Sequence, residues 1–293
     1  MIEFAEVEAA VQAAIRTGDG SAIRLLGHGE VSIVLGWPTA APQRAVKRVP
    51  PFRSVGVAQQ YIAVCERNFE ILRSAGVAIW PTDLHTFRRA DDSVVVYHSQ
   101  PIADANQIGS NVLRGAAPTD SHPLLDAIVR ATAAVVSPAV GFDVQVANWL
   151  WDGQVATQID FTSPFLLNEA GDDLLFETSG FLREYPFAVR GYLRRELLKT
   201  IVRFTTPEGA IGDMVANLHK EGLQQWVAPA LRAAQTQLGV VIDPQVPLAM
   251  YAADRKLMPL ALRLRKAQRA WMRATRRRYD GLLPERTTYE RVA

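Results

Sequence analysis

Up to Gln100-Pro101 the chain reads as short β-rich runs around one long helix; beyond that dipeptide, helical periodicity dominates. Residues 3–17 alternate acidic and apolar positions at helical spacing and stop at Gly18-Asp19-Gly20. Three β-rich runs follow at 23–26, 31–36 and 44–49, the last two separated by a Pro-rich loop at 37–42. Residues 57–75 predict a helix closed by Gly76, and strands are expected at 83–88 and 93–99 around a polar turn. In the second part, 122–137 reads as a buried helix. Short strands at 149–151 and 155–159 are joined by Asp152-Gly153, a two-residue hairpin signal. From Phe181 onward the pattern is helical. The expectation is an α+β fold with two lobes: residues 1–101 form an antiparallel sheet carrying one long helix, with an extra N-terminal helix at 3–17. Residues 102–293 form a mainly α-helical lobe.

A chain of 293 residues buries a sizeable core, and 48% apolar with 21% charged residues is the balance of a soluble globular protein. A net charge of +2 does not by itself imply a nucleic-acid binder. Cys65 is the single cysteine, which excludes an internal disulfide and fits a reducing compartment. The first residues are acidic and amphipathic rather than a secretory signal, and no apolar run of about 18 residues predicts a membrane span. The five histidines (28, 85, 98, 122 and 219) lack ligand spacing. A cytoplasmic location is expected.

Chemistry concentrates in 141–162, where Asp143, Asn148 and Asp160 bracket the hairpin. A loop aspartate can orient an acceptor hydroxyl and take its proton. An asparagine carbonyl and a second carboxylate supply the hard oxygens that magnesium prefers. Taken singly, these residues also read as a loop acid, a turn asparagine and a helix cap. Upstream, Gly27-His28-Gly29 lies between two strand candidates, where missing Cβ atoms let a backbone approach phosphate; an ordinary hairpin turn has the same composition. Lys47 ends the apolar strand Ala45-Val46-Lys47 and can neutralise phosphates, or be a surface lysine. Glu66, with Glu70 one turn later, offers a helix carboxylate.

In this order, glycine turn, strand lysine, helix glutamate, Asp-x4-Asn, hairpin and Ile-Asp-Phe, the residues resemble the protein-kinase-like fold, and within it the aminoglycoside and choline phosphotransferase branch. The resemblance covers about residues 23–165. It implies an ATP- and Mg2+-dependent phosphotransferase acting on a hydroxyl of a small molecule. Lys47, with the Gly27–Gly29 turn, would contact the phosphates, and Glu66 or Glu70 would pair with Lys47. Asp143 would be the catalytic base, Asn148 and Asp160 would hold magnesium, and Gln100, Pro101 and Ile102 would form the hinge whose backbone meets adenine. The chain departs from the family at Gly141, where histidine is usual two residues before the catalytic aspartate. It departs again at Ser32, at Thr162 and in lacking an Ala-Pro-Glu segment. These departures leave open a pseudokinase-like nucleotide- or partner-binding module, and nucleotidyl transfer on the same fold.

Residues 254–278 hold ten Lys or Arg against one acid, Asp254. Leu257, Leu260, Leu264, Gln268, Trp271 and Thr275 trace a partly apolar stripe there. Such a helix packs by its Leu and Trp side chains with a solvated basic face, or meets anionic lipid, nucleic acid or an acidic partner. The basic residues favour an anionic acceptor over a cationic aminoglycoside.

Overall fold

The computed structural model of the chain describes residues 2–28 and 33–283; Gly29 and Ser32 lie outside the described residues. The architecture is mixed α+β. A five-stranded antiparallel sheet has the order β1-β2-β3-β6-β5, built from β1 (Arg24–His28), β2 (Ile33–Trp37), β3 (Arg44–Arg48), β5 (Asp83–Arg88) and β6 (Val94–Pro101). Side chains alternate across it as the pleat requires. Val46, Val95 and Tyr97 point to one face, where they pack with Val7, Val11 and Ile15 of α1 (Phe4–Thr17). Val94 and Val96 point to the other, against Ala58, Tyr61 and Cys65 of α2 (Val55–Ser74). Helix α1 ends at Gly18, whose φ of 81° is left-handed and open to glycine without strain. Helix α2 starts two residues before the expected 57 because the Ser54 side chain caps it, accepting from the Val57 amide.

A second sheet, β4-β8-β7, joins β4 (Ala78–Ile79) in parallel to β8 (Ala156–Gln158) and β8 antiparallel to β7 (Trp149–Trp151). The connection between β7 and β8 is four residues rather than two. Trp151 pairs with Ala156, and the Asp152 carboxylate accepts from the amides of Gln154 (2.8 Å) and Val155 (2.7 Å), folding the loop around Gly153. Short helices α3 (Gly109–Gly115) and α5 (Ser179–Leu182) accompany α4 (Pro123–Val135), α6 (Phe187–Arg203), α7 (Pro207–Lys220), α8 (Val227–Leu238) and α9 (Gln245–Ala274). Helix α7 begins on a Thr206 cap with Pro207 in its first turn, as the missing proline N–H allows.

The chain position expected to divide the two parts is crossed in both directions. Phe69, Leu72 and Val77 share a core with Leu113, Ile128, Met214 and Trp226. In return, Met272 and Tyr279 join α1 and β2 on the outer face of the five-stranded sheet. Among the described residues no helix is long and apolar enough to cross a membrane.

Candidate active site

Strand alternation sends neighbouring cations of β3 to opposite faces. Arg48 turns to α1, where its guanidinium meets the buried Glu8 carboxylate. Lys47 turns to the other face and is only 7% exposed. Its ammonium donates to the Ile159 carbonyl at 2.7 Å and lies 3.2 Å from Asp160 Oδ1. The Gln100 amide donates to the same carbonyl at 3.0 Å and to Thr82 Oγ1 at 2.8 Å. One carbonyl, with two lone pairs, thus fixes both side chains that β3 and β6 send from the sheet. Gln100 therefore takes part through its side chain, while Ile102 lies beyond the end of β6 and is exposed. Gly27 lies in β1 next to a register irregularity, with open space where a Cβ would be.

The hairpin brings the remaining polar residues to the same place. The Ile159 amide donates to the Asn148 carbonyl at 2.9 Å, so Asn148 sits across from the residue preceding Asp160. Asp160 Oδ1 accepts from the Thr162 amide (3.1 Å) and hydroxyl (2.9 Å). Burial opposes ionisation of this carboxyl, yet Lys47 and the two Thr162 donors outweigh it and hold its pKa below the usual range. Asp160 is thus an anion with a third of its side chain still exposed. Asp143 is half-buried and accepts from the Gln145 amide at 3.2 Å. Buried Gln158 spans the site, its amide 3.4 Å from the Asp143 carbonyl and 3.3 Å from that of Asp160.

Glu66 and Glu70 do not join this group. Tyr61, Cys65, Asn68 and Leu72 form the buried face of α2, and Glu66, a helical step of about 100° past Cys65, turns to solvent with Glu70 one turn on. Lys47 pairs with Asp160 instead. The link from α2 to the site is Tyr61, fully buried, whose hydroxyl donates to the Thr162 carbonyl and lies 2.9 Å from His98 Nε2. Burial first, then the charge of Lys47, pushes the His98 imidazole down to about 3, so it is neutral. Burial likewise pushes the Cys65 thiol up to about 12, which makes it an inert packing group.

Gly141 has a structural cause. A Cβ there would stand 3.0 Å from Phe165 Cβ and 3.2 Å from Phe204 Cβ. Those two rings stack at 5.0 Å, and the Gly141 and Phe142 amides donate to the carbonyls of Phe165 and Phe204. Backbone hydrogen bonds and an aromatic stack therefore hold the chain at Gly141. The base of the loop also rests on α7. The Gln145 side-chain Nε2 is 3.4 Å from Asp213 Oδ2, which accepts from Asn217 Nδ2 at 2.9 Å. Sequence reasoning missed Tyr61, His98, Gln145, Gln158 and Asp213. Their signal was polar residues at inward-facing positions of otherwise apolar elements, as with Asp213 and Asn217 one turn apart in α7.

Among the described residues no group of three or more His, Cys, Asp or Glu clusters as a metal cage. Asn148 and Asp160 carry oxygens of the hard type that magnesium prefers, and these two alone could not complete its shell.

No curated protein matches the chain. Similar solved structures include the kinase domain of PknI from Mycobacterium tuberculosis, 16% identical with a TM-score of 0.27 over 65% of this chain and 72% of that one. Another is the MAP kinase LmaMPK10 from Leishmania major, 13% identical with a TM-score of 0.32 over 82% and 90% of the two chains. A family model covers most of the sequence, residues 6–269, and the chain belongs to that family, DUF6206, a family of unknown function.

Proposed function

We propose that this protein is a phosphotransferase with a kinase-like site that uses ATP and magnesium to phosphorylate a hydroxyl group on a small molecule. The observation that carries the reading is the convergence of Lys47 on Ile159 and Asp160, residues 112 and 113 positions away in sequence and beside Asn148 across the hairpin. The donor set fits magnesium: Asp160 is kept ionised by Lys47 and Thr162, and the Asn148 amide adds a second hard oxygen. Bound there, the ion would offset phosphate charge. Lys47 would turn from Asp160 to the phosphates, Gln100 would hold the Ile159 carbonyl in place, and half-buried Asp143 would orient the acceptor hydroxyl and take its proton. Most of the rate would come from positioning and charge compensation.

The exposed Glu66 favours a second reading: a module that binds nucleotide or a partner without transfer, since no helix carboxylate frees Lys47 from Asp160. Thermal shift with ATP, with and without magnesium, separates the two when combined with a turnover assay. Magnesium-dependent stabilisation with transfer supports the phosphotransferase; stabilisation without transfer to any acceptor supports the module. Mass spectrometry of the product distinguishes phosphate from nucleotidyl addition. Unchanged turnover in Asp160→Ala would remove the metal assignment.

A further inference from the structure

Helix α9 turns several large apolar side chains outward. It packs through Pro247, Leu262, Gln268 and Met272, while Leu257 (56% exposed), Leu260 (51%) and Trp271 (47%) face solvent. The expected packing stripe is therefore mostly the free face. These three lie in one row with Ala253, Leu264, Ala267 and Ala274, at alternating spacings of four and three that keep them on one side of the helix. Over 30 residues the helix is about 45 Å long. Exposed Lys256 and Arg263 border the row, and Arg276, Arg277 and Arg278 follow its end, Arg278 being ion-paired with Asp91 and Asp280. The Arg277 guanidinium sits over the Trp271 ring at 4.8 Å, setting a cation beside an exposed indole. The one acid between 254 and 278 is Asp254, and it is half-buried.

We propose that this face of α9 docks flat on an anionic lipid bilayer. A second copy of the chain fits poorly, because Lys256 and Arg263 flank the row and would meet like charges. A nucleic-acid backbone satisfies the cations but gives Leu257 and Leu260 no apolar phase. The outer side of a single helix is convex, so it suits a soft partner with negative charge in one plane and hydrocarbon beneath it. A bilayer interface supplies both, and Trp and Leu bordered by Arg and Lys are the side chains that enter it.

The test is co-sedimentation of the full-length protein with vesicles of phosphatidylcholine alone or with about 30% phosphatidylserine, at about 0.1 M salt. Binding is expected only to the anionic vesicles, weakening as salt is raised. Lys256→Ala with Arg263→Ala should weaken partitioning roughly 30-fold, about fivefold for each cation. Leu257→Ser with Leu260→Ser should also reduce it, with thermal melting unchanged because all four residues are exposed. Absence of binding to anionic vesicles overturns the proposal and points instead to an acidic protein partner. Equal binding to both vesicle types, or unaltered binding by both double variants, overturns it as well.

Discussion

Replacing Glu8 with glutamine should destabilise the protein in a pH-dependent way that can be worked from the structure. Glu8 is 3% exposed on α1, and its carboxylate accepts from Arg48 Nε (2.8 Å), Arg48 Nη2 (3.1 Å) and Arg89 Nε (2.9 Å), with closer contacts from Arg89 Nη2 and the Tyr97 hydroxyl. Burial raises its pKa, but the two guanidinium groups and Tyr97 prevail and lower it from 4.5 to about 2. A carboxyl depressed on folding stabilises the native state fully above its unfolded value, and that stability is lost as pH falls toward the folded value. The displacement corresponds to about 3 kcal/mol at pH 7, of which about 2 kcal/mol is gone by pH 3. Glu8→Gln also leaves buried Arg89 with the Asp280 carboxylate and buried Arg48 with the Asp280 carbonyl, so the cost at pH 7 is about 3 kcal/mol or more. Urea unfolding of both proteins between pH 7 and pH 3 measures it. Other carboxylates titrate in both proteins, so the diagnostic quantity is the gap between the two curves. It should narrow by about 2 kcal/mol on acidification. A gap that stays constant with pH, or one below about 1 kcal/mol at pH 7, refutes the reasoning.

Three further outcomes test the site. Tyr61→Phe removes the hydroxyl that links α2 to the Thr162 carbonyl and leaves that buried carbonyl and His98 Nε2 without their donor or acceptor; denaturant unfolding should show a loss of about 1–3 kcal/mol. Gly141→Ala presses a methyl against Phe165 and Phe204, and should lower stability by about 1–3 kcal/mol in the same assay. Asp143→Asn should retain ATP-dependent thermal stabilisation while transfer falls by about 100-fold or more, whereas Asp160→Ala should lose the magnesium-dependent part of that stabilisation. Equal losses of nucleotide binding in both variants would contradict the separate roles given to these acids.

Strands β5 and β7 were legible to the residue, because turn chemistry bounds each run. The polar turn 89–92 ends β5, and Asp152-Gly153 follows β7. Strand β4 was not legible, since two residues carry no period and its partner, β8, lies far along the chain. In α2 the helix was legible but its rotation was not: Tyr61, Cys65 and Leu72 define the buried arc that turns Glu66 outward. The same ambiguity governs α9. Apolar residues occur on both sides of that helix, and composition does not say that Leu262 and Met272 are buried while Leu257 and Leu260 are not. The proximity of Asn148 to the residue before Asp160 was legible because the two flank one local hairpin. The partner of Lys47 depends on how α2 is rotated against the sheet, which no local pattern encodes.

The two charge clusters are coupled through one strand. Arg48 and Lys47 are adjacent on β3, so the peptide between them is held from both faces. On one side Arg48 is fixed by Glu8 of α1 and by the Asp280 carbonyl at 3.2 Å. On the other, Lys47 is fixed by the Ile159 carbonyl. Arg89, at the β5–β6 turn, closes the outer cluster by donating to the Asp280 carboxylate at 2.8 Å. Both ends of the described chain therefore converge behind the strand that carries Lys47. A β-strand transmits such a constraint efficiently, because a slip of one residue would exchange Lys47 and Arg48 between faces and break both ion pairs. The outer cluster is thus a register lock for the lysine as well as a source of stability. It explains how the chain can place Lys47 beside Asp160 without a carboxylate from α2.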